Sequence, residues 1–121
     1  MSKYNPSIVD IKNLDDAISE IKKIGSDSKS LDIMAPKAIF RVVKLENIIL
    51  QDAIIIKQDM LSIGGEVAIP KHAYNLKEKS ADILIMGTFK QLNDLVEKLN
   101  RHYPRIKTVS KELSDLLKNL D

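Results

Sequence analysis

Apolar residues recur at two spacings along the chain, and the alternation between them lays out the elements. Between Lys44 and Pro70, Ile49, Ala53, Ile56, Met60 and Ile63 repeat at helical intervals, with Leu50, Ile54 and Leu61 widening the stripe. This predicts one long apolar helix over about 48–63. Gly64 stands where a left-handed helix stop belongs. Glu66 to Ile69 then reads as a short strand ended by Pro70. Gln51, Asp52, Gln58, Asp59 and Ser62 fall on the opposite face of the helix, and Ile55 projects into that polar face as a candidate contact residue.

The other elements follow in order. Residues 7–11 alternate and predict a first strand. Asn13 caps a helix whose stripe is Leu14, Ala17, Ile18, Ile21 and Ile24, with Asp15 and Asp16 in its first turn and Gly25 at its end. A solvated loop over 26–30 follows, and Ala35-Pro36 breaks any helix before the next strand. Residues 38–45, AIFRVVKL, are apolar on both faces and predict a central strand covered on each side. A polar turn spans 75–80, and 81–86 predicts another buried strand. Thr88-x-x-Gln91 is a capping-box pattern opening a helix with Leu92, Leu95, Val96, Leu99 and Tyr103 on its core side. Pro104 comes after that helix, and Thr108 or Ser110 starts the last one.

The predicted order is therefore β-α-β-α-β-β-α-α. It implies a small α/β (α+β layered) fold, a mixed sheet with helices packed on it. The strands at 38–45 and 66–69 should run parallel if they share a sheet. With 121 residues the chain is expected to be one domain over 1–121, with its core in about 8–120.

Composition narrows the chemistry. There are no cysteines, which removes disulfides, thiolate metal sites and thiol nucleophiles. Charged residues make up 30% of the chain, yet the net charge is only +2, and aromatics are 4% with no Trp. Mixed charge and few stacking rings argue against a nucleic-acid partner. No run has the length of a membrane span and the first residues lack a signal-peptide core, so no membrane association and a cytoplasmic location are expected.

No metal, cofactor or catalytic constellation is expected, since HExxH, a phosphate loop and a Ser-His-Asp arrangement are all missing. The candidate ligand-binding residues are Lys37, Arg41, Lys71, Gly87, Thr88 and Lys90. Met86-Gly87-Thr88 turns a strand into a helix, where backbone amides and the helix dipole favour an anion. The bland reading is an ordinary helix start. Gly64-Gly65 admits a ligand near the backbone, or is only a stop and a tight turn. Lys37, Arg41 and Lys44 form a basic cluster around one strand, open to an anionic ligand or to plain surface ion pairs. His72 reads as a surface histidine or an acid–base group. His102 fits a favourable charge at a helix end. Asp52 and Asp59 read as solvated surface.

Three blocks carry a family resemblance: IMAPKAIFRVVKLEN (33–47), IIIKQDMLSIGGEVAIPK (54–71) and ADILIMGTFKQLNDLVEKL (81–99). In this order they resemble the amino-terminal extension of long bacterial-type dihydropteroate synthases, over residues 8–117. Departures are Asp59 in place of Glu, Ile54-Ile55-Ile56 in place of Asn-Ile-Leu, and Pro70-Lys71-His72 where an Arg-Gly pair is usual. The resemblance implies a link to pterin metabolism, folate or methanopterin. It transfers no catalytic residue, because in that family the chemistry belongs to a β/α barrel of about 250 residues. The expected function is a free-standing, non-catalytic accessory or interaction domain, engaging a pterin-pathway enzyme or a second copy as a homodimer. The alternative is a protein or enzyme that binds a pterin or phosphorylated ligand at the C-terminal ends of its strands.

Overall fold

A computed structural model describes residues 3–71, 73 and 79–119. His72 and most of the turn expected at 75–80 lie outside these residues. The chain begins without regular structure, and helix α1 then runs over Leu14–Ile24. The Asn13 carboxamide oxygen accepts from the Asp16 N–H at 2.8 Å, and Gly25, at φ 85°, closes the helix. The expected strand at 7–11 joins no sheet. Its Ile8 and Val9 side chains stand in solvent.

A short helix α2 (Leu31–Met34) sits between two 3-10 turns, Ser28–Ser30 and Ala35–Ala38. Pro36 therefore bends the chain within a helical turn rather than ending structure there. Strand β1 (Phe40–Ile49) follows, then α3 (Leu50–Ile63), β2 (Glu66–Ala68), β3 (Ser80–Thr88), α4 (Phe89–Leu99) and α5 (Pro104–Lys118). The layered α/β class and the order of the main helices and strands from α1 onward agree with the hydrophobic pattern. The last helix starts earlier than expected. Pro104 opens it, because the first helical position has no use for the missing N–H.

The sheet order is β1-β3-β2, and both ladders are antiparallel. β1 and β2 therefore run parallel to one another, as expected, with β3 inserted between them. This corrects the place of β1, which is an edge strand; β3 holds the centre. The β1–β3 register runs from Phe40↔Thr88 to Leu45↔Ile83, slips, and resumes at Ile48↔Ala81. Asn47, at φ 56°, lies in the slip, and its N–H donates to Asp82 Oδ1 at 3.2 Å.

Helices α3, α4 and α5 build the core on one face of the sheet. Val43, Val67, Ile83 and Ile85 meet Ala53, Ile56, Met60, Leu92, Leu95, Leu99, Ile106, Leu113 and Leu117 there. Each of the large side chains contributes about 1.5–3 kcal/mol by leaving water. The opposite face carries Phe40, Val42 and Lys44 from β1, Asp82, Leu84 and Met86 from β3, and Glu66 and Ala68 from β2. All of these except half-buried Met86 are exposed. Phe40 is 58% exposed, Val42 56% and Leu84 39%, so strand alternation that predicted two covered faces produces one covered and one open apolar face.

Candidate functional site

The three resemblance blocks meet at one corner of the domain. Met60, on the last turn of α3, is fully buried, and its methyl group lies between two glycines. A Cβ placed on Gly65 would stand 2.3 Å from Met60 Cε, and one on Gly87 would stand 2.4 Å from the same atom. Gly64 ends α3 at φ 103°, and its N–H donates to the Met60 and Leu61 carbonyls. Its own Cβ would meet Gln91 Nε2 at 3.3 Å. Gln91 in turn completes the α4 capping box: its Oε1 accepts from the Thr88 N–H at 2.9 Å, while its own N–H donates to Thr88 Oγ1 at 3.1 Å. The first block reaches the corner through Ile39, whose carbonyl accepts from the Phe89 N–H at 2.8 Å, and through Ala35, which is buried.

This corner decides how Gly64-Gly65 and Met86-Gly87-Thr88 are read. The space at Gly65 and Gly87 is filled by a thioether, and the Thr88 amide already has a partner. Lys90 reaches Asp94 one turn along α4, at 2.6 Å. The Arg41 guanidinium donates to the Phe40 carbonyl at 3.1 Å and to the Lys12 carbonyl. Lys37 is exposed on the 3-10 turn before β1. Arg41 pairs with Gly87 across the ladder, so Lys37, Arg41, Gly87, Thr88 and Lys90 do gather at one end of the sheet. That end holds the C-terminus of β3, which carries Gly87 and Thr88, together with the N-termini of β1 and β2. Lys71 does not join them. β2 pairs Glu66 with Met86 and then Ala68 with Leu84, and so leads the chain away from Gly87.

The main polar cluster lies elsewhere and was not expected from the sequence. Asp52 is 2% exposed, on the α3 face turned toward the α4–α5 connection. Arg105 grips its carboxylate with two bonds, Nε to Oδ2 at 2.5 Å and a terminal nitrogen to Oδ1 at 2.8 Å. The Tyr103 hydroxyl donates to the same Oδ1, and the guanidinium stacks 5.0 Å from the Tyr103 ring centre. Two turns along α3, Asp59 Oδ2 lies 2.8 Å from His102 Nε2. Lys98 donates to Ser62 Oγ a turn further on.

Residues 52, 59 and 62 thus form one stripe. Ile55 lies within it, half-buried and packed against the core, rather than projecting into a solvated polar face. Asp52 and Asp59 are likewise not solvated surface; they anchor the α4–α5 turn. Burial pushes the Asp52 carboxyl up, but the bonds from Arg105 and Tyr103 and the Arg105 charge outweigh it and hold the group below the usual carboxylate range. Burial first, then the bond and charge of Asp52, push the Tyr103 phenol up. The Arg105 guanidinium is held protonated chiefly by its bonds to Asp52.

Both Asp52 oxygens, the Tyr103 hydroxyl and two Arg105 nitrogens are bonded to one another, which makes this a clamp between helices rather than a set of poised reacting groups. A signal was present in the sequence: Asp52 and Asp59, seven residues apart, share a helix face with the apolar Ile55, a spacing that marks a covered stripe. Among the described residues, no three His, Asp or Glu side chains are grouped to hold a metal ion, and no helix is long and apolar enough to cross a membrane. Every buried side-chain nitrogen and oxygen among them has a hydrogen-bond partner.

The corner, the clamp and the open sheet face belong to a chain that is similar to part of a known enzyme. Over 111 residues it is 30% identical to a bifunctional dihydropteroate synthase/dihydropteroate reductase of Helicobacter pylori. The match takes in 92% of this chain but only 29% of that protein. No protein-family profile and no solved structure matches the chain. The chain is thus related in sequence, along nearly all its length, to a minor segment of a dihydropteroate synthase-containing protein.

Proposed function

We propose that this chain is a non-catalytic accessory domain of pterin metabolism, and that its open sheet face packs against the catalytic part of a dihydropteroate synthase. It corresponds to the amino-terminal extension of the long synthases. The observation that carries the reading is the bare apolar face of Phe40, Val42, Leu84 and Ala68, rimmed by Lys44, Asp82 and Glu66, on a domain whose relative continues well beyond the matched segment. Contiguous apolar surface ringed by charge is the mark of a protein contact. The same face is the covering surface whether the catalytic part belongs to the same polypeptide or to another. Two further features support a non-catalytic role. The candidate anion corner is packed with Met60 and closed by the capping box, and the one buried carboxylate among the described residues is neutralised by Arg105.

Sedimentation velocity of this chain mixed with the dihydropteroate synthase of its source organism tests the reading. A joint boundary is expected, lost with Leu84→Asp and with Ala68→Glu while both variants keep a cooperative melt. Independent sedimentation of the two proteins would overturn it. A parallel melting series with dihydropterin diphosphate, aminobenzoate and inorganic phosphate should show no shift. A ligand at 100 times its dissociation constant would add about 2.7 kcal/mol, so a clear pterin-specific shift would favour a binding site at Arg41 and Lys90 instead.

A further inference from the structure

β1 is the longest strand of the sheet and one of its two edges. Eight of its ten residues pair with β3 on one side, Glu46 and Asn47 lying in the register slip, and among the described residues no second strand pairs with it. The other edge, β2, is three residues long and is covered by Lys57, whose ammonium bonds to the Val67 carbonyl at 2.7 Å. A long unpaired edge is a template for a further strand.

Residues 7–11, SIVDI, supply a segment with the right pattern. They have no regular structure and form no backbone–backbone bond among the described residues, and Ile8 is 98% exposed with Val9 beside it. The root of this segment is fixed next to the free edge. The Lys12 N–H donates to Asp16 Oδ2 at 3.1 Å, and the Lys12 carbonyl accepts from Arg41, the second residue of β1. In this structure residues 7–11 make no ladder or backbone bond with the β1 of their own chain. The charges are complementary. Asp10, 80% exposed, pairs with Lys12 at 3.7 Å and Lys44, 56% exposed, with Asp82 at 3.7 Å, surface pairs that exchange partners at little cost, so Asp10 is free to meet Lys44 across the contact. Reciprocal exchange of such segments between two copies about a two-fold axis gives a closed dimer.

We propose that residues 7–11 of one copy add as a fourth strand to the β1 edge of a second copy, giving an arm-exchanged homodimer. The contact uses the edge of the sheet and leaves the open face of Leu84 and Ala68 available.

Light scattering after size exclusion, over a micromolar to millimolar series, tests this directly. The expected mass rises to twice 13.6 kDa. The Ile8→Asp/Val9→Asp double variant should fall to the single-chain mass and melt as the wild type does once diluted to single chains, since neither side chain is in the core. Ala68→Glu should remain dimeric, which separates this contact from docking on the synthase. A single-chain mass at every concentration, a dimer that survives the double arm variant, or a dimer lost in Ala68→Glu alone would each overturn the proposal.

Discussion

Replacing Gly87 with Ala separates the packing role of the glycine corner from a ligand-cradling role. Gly87 has no left-handed backbone, so an Ala there meets only a question of space. Its Cβ would stand 2.4 Å from Met60 Cε, against the roughly 3.5–4.0 Å of an ordinary carbon contact. The end of a Met side chain usually yields cheaply. Here it does not, because retreat takes Cε toward Gly65, where the gap is just as tight, and Met60 is fully enclosed. Overpacking of this kind costs about 1–3 kcal/mol. For a chain of this size that is a drop in melting temperature of roughly 4–12 °C.

A double-mutant cycle gives the sharper test. Met60→Ala alone should cost about 2–5 kcal/mol for the cavity it leaves. In that background the added methyl of Gly87→Ala enters vacated space, so its cost should fall by at least about 1 kcal/mol. The assay is urea unfolding of the four proteins, read by circular dichroism. A neutral Gly87→Ala, or equal costs in both backgrounds, would refute the argument that Met60 is the reason for the glycines.

Three other outcomes follow from the same geometry. Asp52→Asn should destabilise by about 1–3 kcal/mol, since charge-assisted bonds to a buried carboxylate are lost. Because the folded Asp52 carboxyl is held below its unfolded value near 3.9, that stability is present above this value and is lost as pH falls through the lower, folded one. The gap between wild type and Asp52→Asn in urea titrations should therefore be flat from neutral pH to about pH 5 and close below about pH 4. Thr88→Ala removes one arm of the capping box and should cost about 0.5–2 kcal/mol in thermal unfolding, with hydrogen exchange rising first at the start of α4.

The strongly periodic stretches were legible in the sequence. The Asn13 cap, the Gly25 and Gly64 stops and the Thr88–Gln91 capping box all rest on local rules, and all stand as expected. What failed depends on long-range placement. Residues 38–45 are apolar on both faces, and nothing local says whether the second face is covered or bare, so the pattern alone predicts a central strand. Residues 7–11 alternate like a strand, but a strand exists only where an edge receives it. The polar side of α3 reads as surface in the sequence because its partners, Tyr103, Arg105 and His102, come from a turn more than forty residues away. Pro104 opens a helix although the pattern also fits a residue following one, since proline serves both positions. The resemblance blocks were visible as motifs, and the fold gives them a shared cause in the packing around Met60.

The central claim is that the open face of the sheet is covered by the catalytic part of a dihydropteroate synthase. Hydrogen–deuterium exchange of this chain, alone and mixed with that enzyme, tests it most directly. The account predicts slowed exchange in β1 and in the Asp82–Met86 stretch of β3, with the Asp52–Arg105 clamp between helices unchanged. Protection confined to the helical side, or an exchange map that the enzyme leaves unaltered, would contradict it.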